Sequence, residues 1–342
     1  MERTLLCIIA DDLTGAFDAA APFSGRGQSV VVALHPGAMA KALSFGCDVV
    51  AVSTQSREVT ADEAAGRVAA VAASLPAGVQ VFKKVDSRLK GNIGAELAVL
   101  APGHLLVAPA IPEFGRVVRN GQVSGFGMDK PISVAGTLGE LGKVAEVPDT
   151  SSTAEMQAAL RAAPSDALLV GARGLAEALA VVMTGRAEKR LVPRPAERIL
   201  MVVGSRDPIT LPQVAALRAQ GGMDWHCAPN GVMAAPGSSG KVTVVQATPG
   251  TPAATGNEVA DALAKSVHPA LTAQADAIFL TGGATAEAVL RRMALDVLQL
   301  EGEVLPGVPL ARAGDQAVIL KSGGFGDEET LVQLVRILRA DT

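Results

Sequence analysis

The stretch IIADDLTGAFDAA, residues 8–20, sets two adjacent carboxylates, Asp11 and Asp12, directly behind an apolar run. Thr14 and Gly15 follow, and then the helical spacing of AFDAAAPF. One acid could do no more than cap that helix. Two acids with a Thr and a Gly exceed what a cap requires and suit general acid/base work or the gripping of hydroxyls. A second cluster, FKKVDSRLKGNIGAEL (82–97), carries Lys83, Lys84, Asp86, Ser87, Arg88, Lys90, Gly91 and Asn92 in one short span. Such a set can hold a small polyhydroxy acid, with Lys or Arg on its carboxylate and Asp, Ser or Asn on its hydroxyls. A solvated surface loop is the plainer alternative for a run this charged. APAIPEFGRVVRNG (108–121) adds Arg116 and Arg119, of which Arg116, directly after a glycine, is the better candidate.

The second half of the chain carries three glycine-bearing turns: VVGSRDPIT (202–210), FLTGGATAEAVLRRM (279–293) and ILKSGGFGDEETL (319–331). In the middle one an apolar run ends in Gly282-Gly283, Thr285 is placed to cap, and a helical pattern follows. Free backbone N–H groups and the positive end of a helix bind an anion without net positive charge. A single Gly-Gly turn is usually only a tight turn, but three of them at successive strand ends favour a nucleotide-phosphate site. Neither GxxxxGK[ST] nor GxGxxG occurs, which disfavours a Walker site and a dehydrogenase. The four histidines lie far apart without metal-ligand spacing, no GxSxG elbow is present, and Trp225 reads as structural.

These residues need elements to hold them. Short apolar, β-branched runs at 5–10, 30–34, 49–54, 79–85, 104–110 and 167–172 read as buried strands. Between them, 60–75 and 153–163 have helical spacing, each with a Thr ahead of an acidic first turn as N-cap. Strand and helix in alternation mean a parallel sheet covered by helices on both faces. LVPRPAER (191–198) interrupts the pattern, and 199–205, 242–247, 278–283 and 316–324 resume it. The expected fold is α/β with two domains, 1–195 and 196–342, each a mainly parallel sheet flanked by helices. The Gly/Pro/Ser stretches 230–241 and 246–258 read as surface loops. In open sheets of this kind ligands meet the carboxyl ends of the strands, where all the clusters above lie.

Composition removes other classes of function. At 342 residues, with 49% hydrophobic and 19% charged, the chain is globular rather than disordered. A net charge of -4 without a basic block argues against a nucleic-acid surface. Cys7, Cys47 and Cys227 form no disulfide framework or zinc spacing, which fits a reducing cytoplasm. No apolar run is long enough to span a bilayer, and LLCIIA is too short for a signal peptide. A homodimer is the default expectation for assembly.

Taken in order, IIADDLTGAFDAA, KKVDSRLKGNIGAEL, APAIPEFGRVVRNG, VGARGLAEALA, VVGSRDPITLPQVAAL, LTGGATAEAVL, GEVLPGVPL and LKSGGFGDEETL resemble the four-carbon acid sugar kinase family, across residues 5 to 331. The resemblance implies an ATP-dependent kinase of threonate, erythronate or 3-oxo-tetronate, with an N-terminal acid-sugar domain, a C-terminal ATP domain and the reaction in the cleft between them. It implies that Asp11, Asp12, Thr14, Gly15, Asp86, Ser87, Arg88, Lys90, Gly91, Asn92 and Arg116 line the acceptor site. Ser205, Gly282, Gly283, Ala284, Thr285, Gly323 and Gly324 would hold ATP, with Mg2+ bridging its phosphates through ligands the sequence does not name. Asp12 and Asp86 are the two candidate bases, and the sequence does not rank them.

The chain departs from the family's usual pattern at identifiable places. DSTLRGN becomes DSRLKGN, introducing Arg88 and exchanging an arginine for Lys90, and GGDT becomes GGAT, with Ala284 in place of an acid. Because Arg grips a carboxylate bidentately and Lys as a point charge, the acceptor pocket is redrawn. The chain is also shorter after NGQVSGFG, and it has no Tyr where members carry NGY. These changes motivate an alternative reading as a non-catalytic or divergent ATP- and acid-binding protein; retention of Asp11, Asp12, Asp86 and the glycines argues for catalysis.

Overall fold

Leu6 to Ala10 are five consecutive apolar residues with no solvent exposure, the mark of a strand covered on both faces. In the computed structural model, which describes residues 4–100, 103–233 and 240–340, this strand is central to the first of two units, Met1–Lys189 and Arg190–Thr342. The loop expected at 230–241 lies partly outside the described residues, at 234–239.

The first unit begins with β1 (Leu6–Ala10), α1 (Leu13–Ser24), β2 (Val30–Ala33), α2 (Met39–Leu43), β3 (Val49–Ser53), α3 (Ala61–Ala73), β4 (Gln80–Lys84), α4 (Ile93–Ala98) and β5 (Leu105–Ala108). It continues through β6 (Arg116–Arg119), β7 (Gln122–Gly125), β8 (Ile132–Ser133), α5 (Val134–Leu138), α6 (Thr153–Ala162), β9 (Leu168–Gly171) and α7 (Arg173–Thr184). The main sheet runs β2-β3-β1-β4-β9-β5 with every neighbour parallel. The strand order reverses between β1 and β4, and such a switch point opens a crevice at the strands' carboxyl ends. Asp11 follows β1 and Lys84 ends β4, so the two clusters read from the sequence flank that crevice.

Two adjacent lysines reveal the layers. Lys83 points to Glu96 of α4, whereas Lys84 lies against Gly15 of α1. Neighbouring strand residues face opposite sides of a sheet, so α1 and α4 cover opposite faces. Within α1, Pro22 lacks the N–H that would bond Asp18 O. Arg173 reaches that carbonyl at 3.4 Å and the Asp18 carboxylate at 3.1 Å.

The second unit contains β10 (Ile199–Val203), α8 (Thr210–Ala219), β11 (Asp224–Pro229), β12 (Val242–Thr248), α9 (Gly256–Val267), β13 (Ala277–Thr281), α10 (Gly283–Arg292), β14 (Val297–Leu305), β15 (Val308–Ala313), β16 (Gln316–Lys321) and α11 (Thr330–Arg339). Its strands run β11-β12-β10-β13-β16-β15-β14, parallel as far as β16 and antiparallel beyond. GEVLPGVPL is the β14–β15 turn. The order reverses between β10 and β13, which carry Ser205 and Gly282 just past their ends. Among the described residues no helix is long and apolar enough to cross a membrane.

The structure corrects the sequence reading at several places, beginning with the loop expected at 246–258, of which β12 claims the first residues and α9 the last. The cap of α6 is Ser152, not Thr153: Ser152 Oγ accepts from Glu155 N at 3.2 Å and the Glu155 carboxylate accepts from Ser152 N at 3.1 Å. Thr285 does not cap α10; it is buried inside the helix, packed so tightly on Gly204 that a Cβ there would collide with its hydroxyl. The small antiparallel sheet β6–β7–β8 was not anticipated, although Asn120 and Gly121, both at positive φ, form the Asn-Gly turn that usually marks a hairpin.

Ser152→Ala removes a satisfied cap and is expected to destabilise the first unit by about 1 kcal/mol. Thr153→Ala is expected to stay within about 0.5 kcal/mol of the parent. Urea unfolding followed by circular dichroism separates the two.

Candidate functional site

The feature that organises the first unit's crevice is Arg57, four residues beyond β3 and absent from the sequence-level candidates. Its Nε and Nη2 each lie 2.8 Å from an oxygen of Asp11, a bidentate pair, and its Nη1 lies 2.8 Å from Asp12 Oδ2. Asp11 is 2% exposed, and burial pushes its carboxyl up. The charge and hydrogen bonds of Arg57, with Lys83 and Lys84 behind them, outweigh burial and hold it below the usual carboxylate range. Arg57 is in turn driven upward despite its own burial, by Asp12, Asp11 and Asp86.

Asp12 is the N-cap of α1. Its Oδ1 accepts from Gly15 N at 2.9 Å, and its Oδ2 accepts from Thr14 Oγ1 at 2.8 Å as well as from Arg57. Both oxygens are therefore engaged. Asp86 differs: Oδ2 accepts from Arg88 N at 2.9 Å and weakly from Lys90 N at 3.5 Å, and no described residue donates to Oδ1. Gly91, at φ +95°, lets the loop close over Asp11, since a Cβ there would stand 2.9 Å from Asp11 Oδ2.

Beside these acids, the buried Arg116 donates through Nη1 to Ser87 Oγ and through Nη2 to Phe126 O at 2.7 Å. Burial lowers the Arg116 guanidinium, and the neighbouring Arg88 charge lowers it further, against Asp86. Two guanidiniums and one carboxylate thus share one field. Lys90 is exposed, and Arg119 is exposed on the hairpin. Asn92 has a positioning role in this structure: its amide donates to Ser56 O and Val59 O, both at 2.9 Å, and so pins the segment carrying Arg57.

Below the crevice Lys83 Nζ lies 2.9 Å from Glu96 Oε2, both side chains buried. The contact is an ion pair without hydrogen-bond alignment, since that oxygen has no aligned donor. Glu96 Oε1 accepts from Ser56 Oγ, which lies 2.6 Å from Thr54 Oγ1. This network ties α4 to the segment leading to Arg57.

In the second unit the structure assembles Ser205, the Gly282–Thr285 turn and Gly323. Gly282, at φ +99°, is the N-cap of α10; no side chain caps the helix and its first turn holds no acid. The N–H groups of that turn are left for an anion. An acid at the exposed Ala284 would offset the positive end, so GGAT leaves it stronger than GGDT. Gly323 allows a close approach, because a Cβ there would stand 2.5 Å from Ser205 Oγ. Thr210 Oγ1 donates to Gly323 O at 2.8 Å, and Gly324 continues the turn, partly exposed. Lys321, also not singled out in the sequence, is buried beneath this turn and donates to Ser322 O at 2.8 Å. Burial pushes its ammonium down to about 8, against a weaker upward pull from Asp207.

The geometry now has independent counterparts. Residues 6–136 match a model described as a sugar-binding N-terminal domain, and residues 200–331 match a nucleotide-binding C-terminal domain. A D-threonate kinase of Cupriavidus necator is 31% identical over an alignment covering 95% of each chain. The chain belongs to the four-carbon acid sugar kinase family. Other members include a D-threonate kinase of Bordetella bronchiseptica, 30% identical over 97% of both chains, and a 3-oxo-tetronate kinase of Burkholderia multivorans, 26% identical over 98% of both. Among solved structures, Haemophilus influenzae protein HI1011 shares the fold with a TM-score of 0.70 at 19% identity, covering 98% of this chain and 99% of that one.

Two outcomes follow for this member of the family. Arg57→Met strands the buried Asp11 carboxylate and is expected to cost about 3 kcal/mol, the lower end for a broken buried pair because Arg57 stays partly open to solvent. Adding Asp11→Asn should recover much of the loss. Because the folded Asp11 lies below its ordinary value of 3.8, its contribution is complete above that value and lost as pH falls through the lower folded one. Acid unfolding of the parent should accordingly be steeper than that of Asp11→Asn. Lys321 gives two readouts in an alkaline window that run in opposite directions to each other. Between about 8 and its ordinary 10.5 the folded state holds fewer protons than the unfolded one, so its contribution to stability rises with pH. Nucleotide affinity should fall through the same window as the charge under the turn is lost. Calorimetry on Lys321→Met should show neither trend.

Proposed function

We propose that the protein is an ATP-dependent sugar acid kinase that moves the γ-phosphoryl group of ATP to a hydroxyl of a small hydroxy acid of the threonate, erythronate or 3-oxo-tetronate type. The observation that carries this reading is the pairing, in one chain, of a charged hydroxyl- and carboxylate-binding crevice in one unit with an uncapped helix N-terminus and glycine turns in the other. Curated relatives aligned along almost the whole chain bear kinase names, which supports it.

Arg88 and Arg116, with Lys90 at the rim, would receive the acceptor's carboxylate, and Asp86 with Ser87 would meet its hydroxyls. Asp86 is the better candidate base, because Oδ1 has an open lone pair whereas both oxygens of Asp12 already accept donors. Asp86 would take the proton of the attacking hydroxyl, the new P–O bond would form, and the bond from Pγ to the β,γ-bridging oxygen would break to release ADP. Ser205, Gly282, Gly283, Ala284, Thr285, Gly323 and Gly324 would cradle the nucleotide. Mg2+ would neutralise the phosphates, which supply oxygen ligands of the kind it prefers. In this reading the acceptor groups and the nucleotide groups belong to separate units of the chain.

The test is ADP release with Mg-ATP against C3 to C6 hydroxy acids. Acid-dependent release supports the kinase; ATP binding without acid-stimulated turnover supports the non-catalytic alternative. Asp86→Asn is expected to lower kcat by roughly 10²-fold or more, within the range of general-base catalysis, with ATP affinity unchanged. A fully active Asp86→Asn removes that residue from the role.

A further inference from the structure

Three cations stand at the strand ends beside the acceptor crevice, and two are already paired. Arg57 is spent on Asp11 and Asp12, and Lys83 on Glu96. Lys84 is not: its side chain is 5% exposed, yet no described residue accepts a hydrogen bond or forms an ion pair with its ammonium. The group lies against the first turn of α1, with Nζ 3.2 Å from where a Cβ on Gly15 would stand. It contributes to the field that holds Asp11 ionised, but both Asp11 oxygens already belong to Arg57. A lysine buried along almost its whole length, whose ammonium has no protein partner and only a small opening to solvent, is normally retained where a partner arrives.

The direction of the side chain identifies that partner's place. Lys84 and Asp86 are two residues apart on an extended segment, since Val85 N still donates to Gly171 O beyond the end of β4. Residues at that spacing face the same side of a sheet, so the free ammonium and the half-free carboxylate emerge together. Lys83 and Val85 face the other side, where Lys83 is buried with Glu96.

We propose that Lys84 is a substrate-contacting residue whose ammonium receives an oxyanion of the reacting pair, either the carboxylate of the hydroxy acid or an oxygen of the phosphoryl group in transfer. This rests on the kinase reading above and adds to it a contact outside the residues that the resemblance assigns. A lysine suits the task because its charge is compact and its three N–H donors are all available here.

The experiment compares the parent protein with Lys84→Met, which keeps the length and removes the charge, and with Lys84→Gln as a second neutral variant should the first fail to fold. Threonate, or whichever hydroxy acid turns over fastest in the parent, is titrated calorimetrically without nucleotide, and ADP release gives kcat and KM. A tenfold or greater loss of acid affinity with a matching rise in KM assigns the contact to the carboxylate. Unchanged acid affinity with kcat down a hundredfold or more assigns it to the phosphoryl group. A folded neutral variant within twofold of the parent in affinity, kcat and KM overturns the proposal while leaving the kinase reading intact. If the parent itself releases no ADP with any acid, the kinase reading fails first and this contact fails with it.

Discussion

Two carboxylates in succession at the end of a buried strand repel one another, and the first unit is built around the guanidinium that resolves this. Arg57 spans Asp11 and Asp12 with three bonds of 2.8 Å, and its own position depends on Asn92, which anchors the segment on either side of it. Asp12 is thereby freed to start α1, Asp11 stays ionised although buried, and the loop after β4 can close over them because Gly91 has no side chain to obstruct it. Electrostatics, helix initiation and loop closure at this end of the sheet therefore share one cause.

The consequence is a division of labour among groups of the same type. Asp11 and Asp12 are occupied in holding the site together, whereas Asp86 keeps an open oxygen. Arg57 and Lys83 are paired with carboxylates, whereas Arg116 lies in the field of Arg88 and the Lys84 ammonium has no ion-pair partner among the described residues. The second unit offers an anion other means, with peptide N–H groups at an uncapped helix and turns that need glycine. A chain with a net charge of -4 can in this way accommodate two anionic partners.

Much of this was legible in the sequence, for physical reasons. Buried parallel strands are short runs of Val, Ile, Leu and Ala, so their ends could be read, and with them the loops at 11–15, 86–92 and 282–285. Strand order could not be read. Arg57 is 45 residues from Asp12 and becomes its neighbour only because β3 lies beside β1. Lys83 and Lys84 are indistinguishable as letters, but one faces Glu96 and the other α1, and that depends on the layers above and below the sheet. Thr153 and Thr285 misled because a hydroxyl near a helix start can cap only if the helix begins directly after it. Ser152 and Gly282 occupy those positions instead.

The central claim is that a phosphoryl group passes from ATP to a hydroxyl of a sugar acid, and phosphorus NMR of the reaction mixture observes that product directly. With Mg-ATP and threonate or a related acid, we expect a phosphomonoester resonance that is split by the carbinol proton and grows in step with ADP. Inorganic phosphate as the sole new signal, or an unchanged ATP spectrum across the acids, would contradict the assignment of this protein as a kinase of such acids.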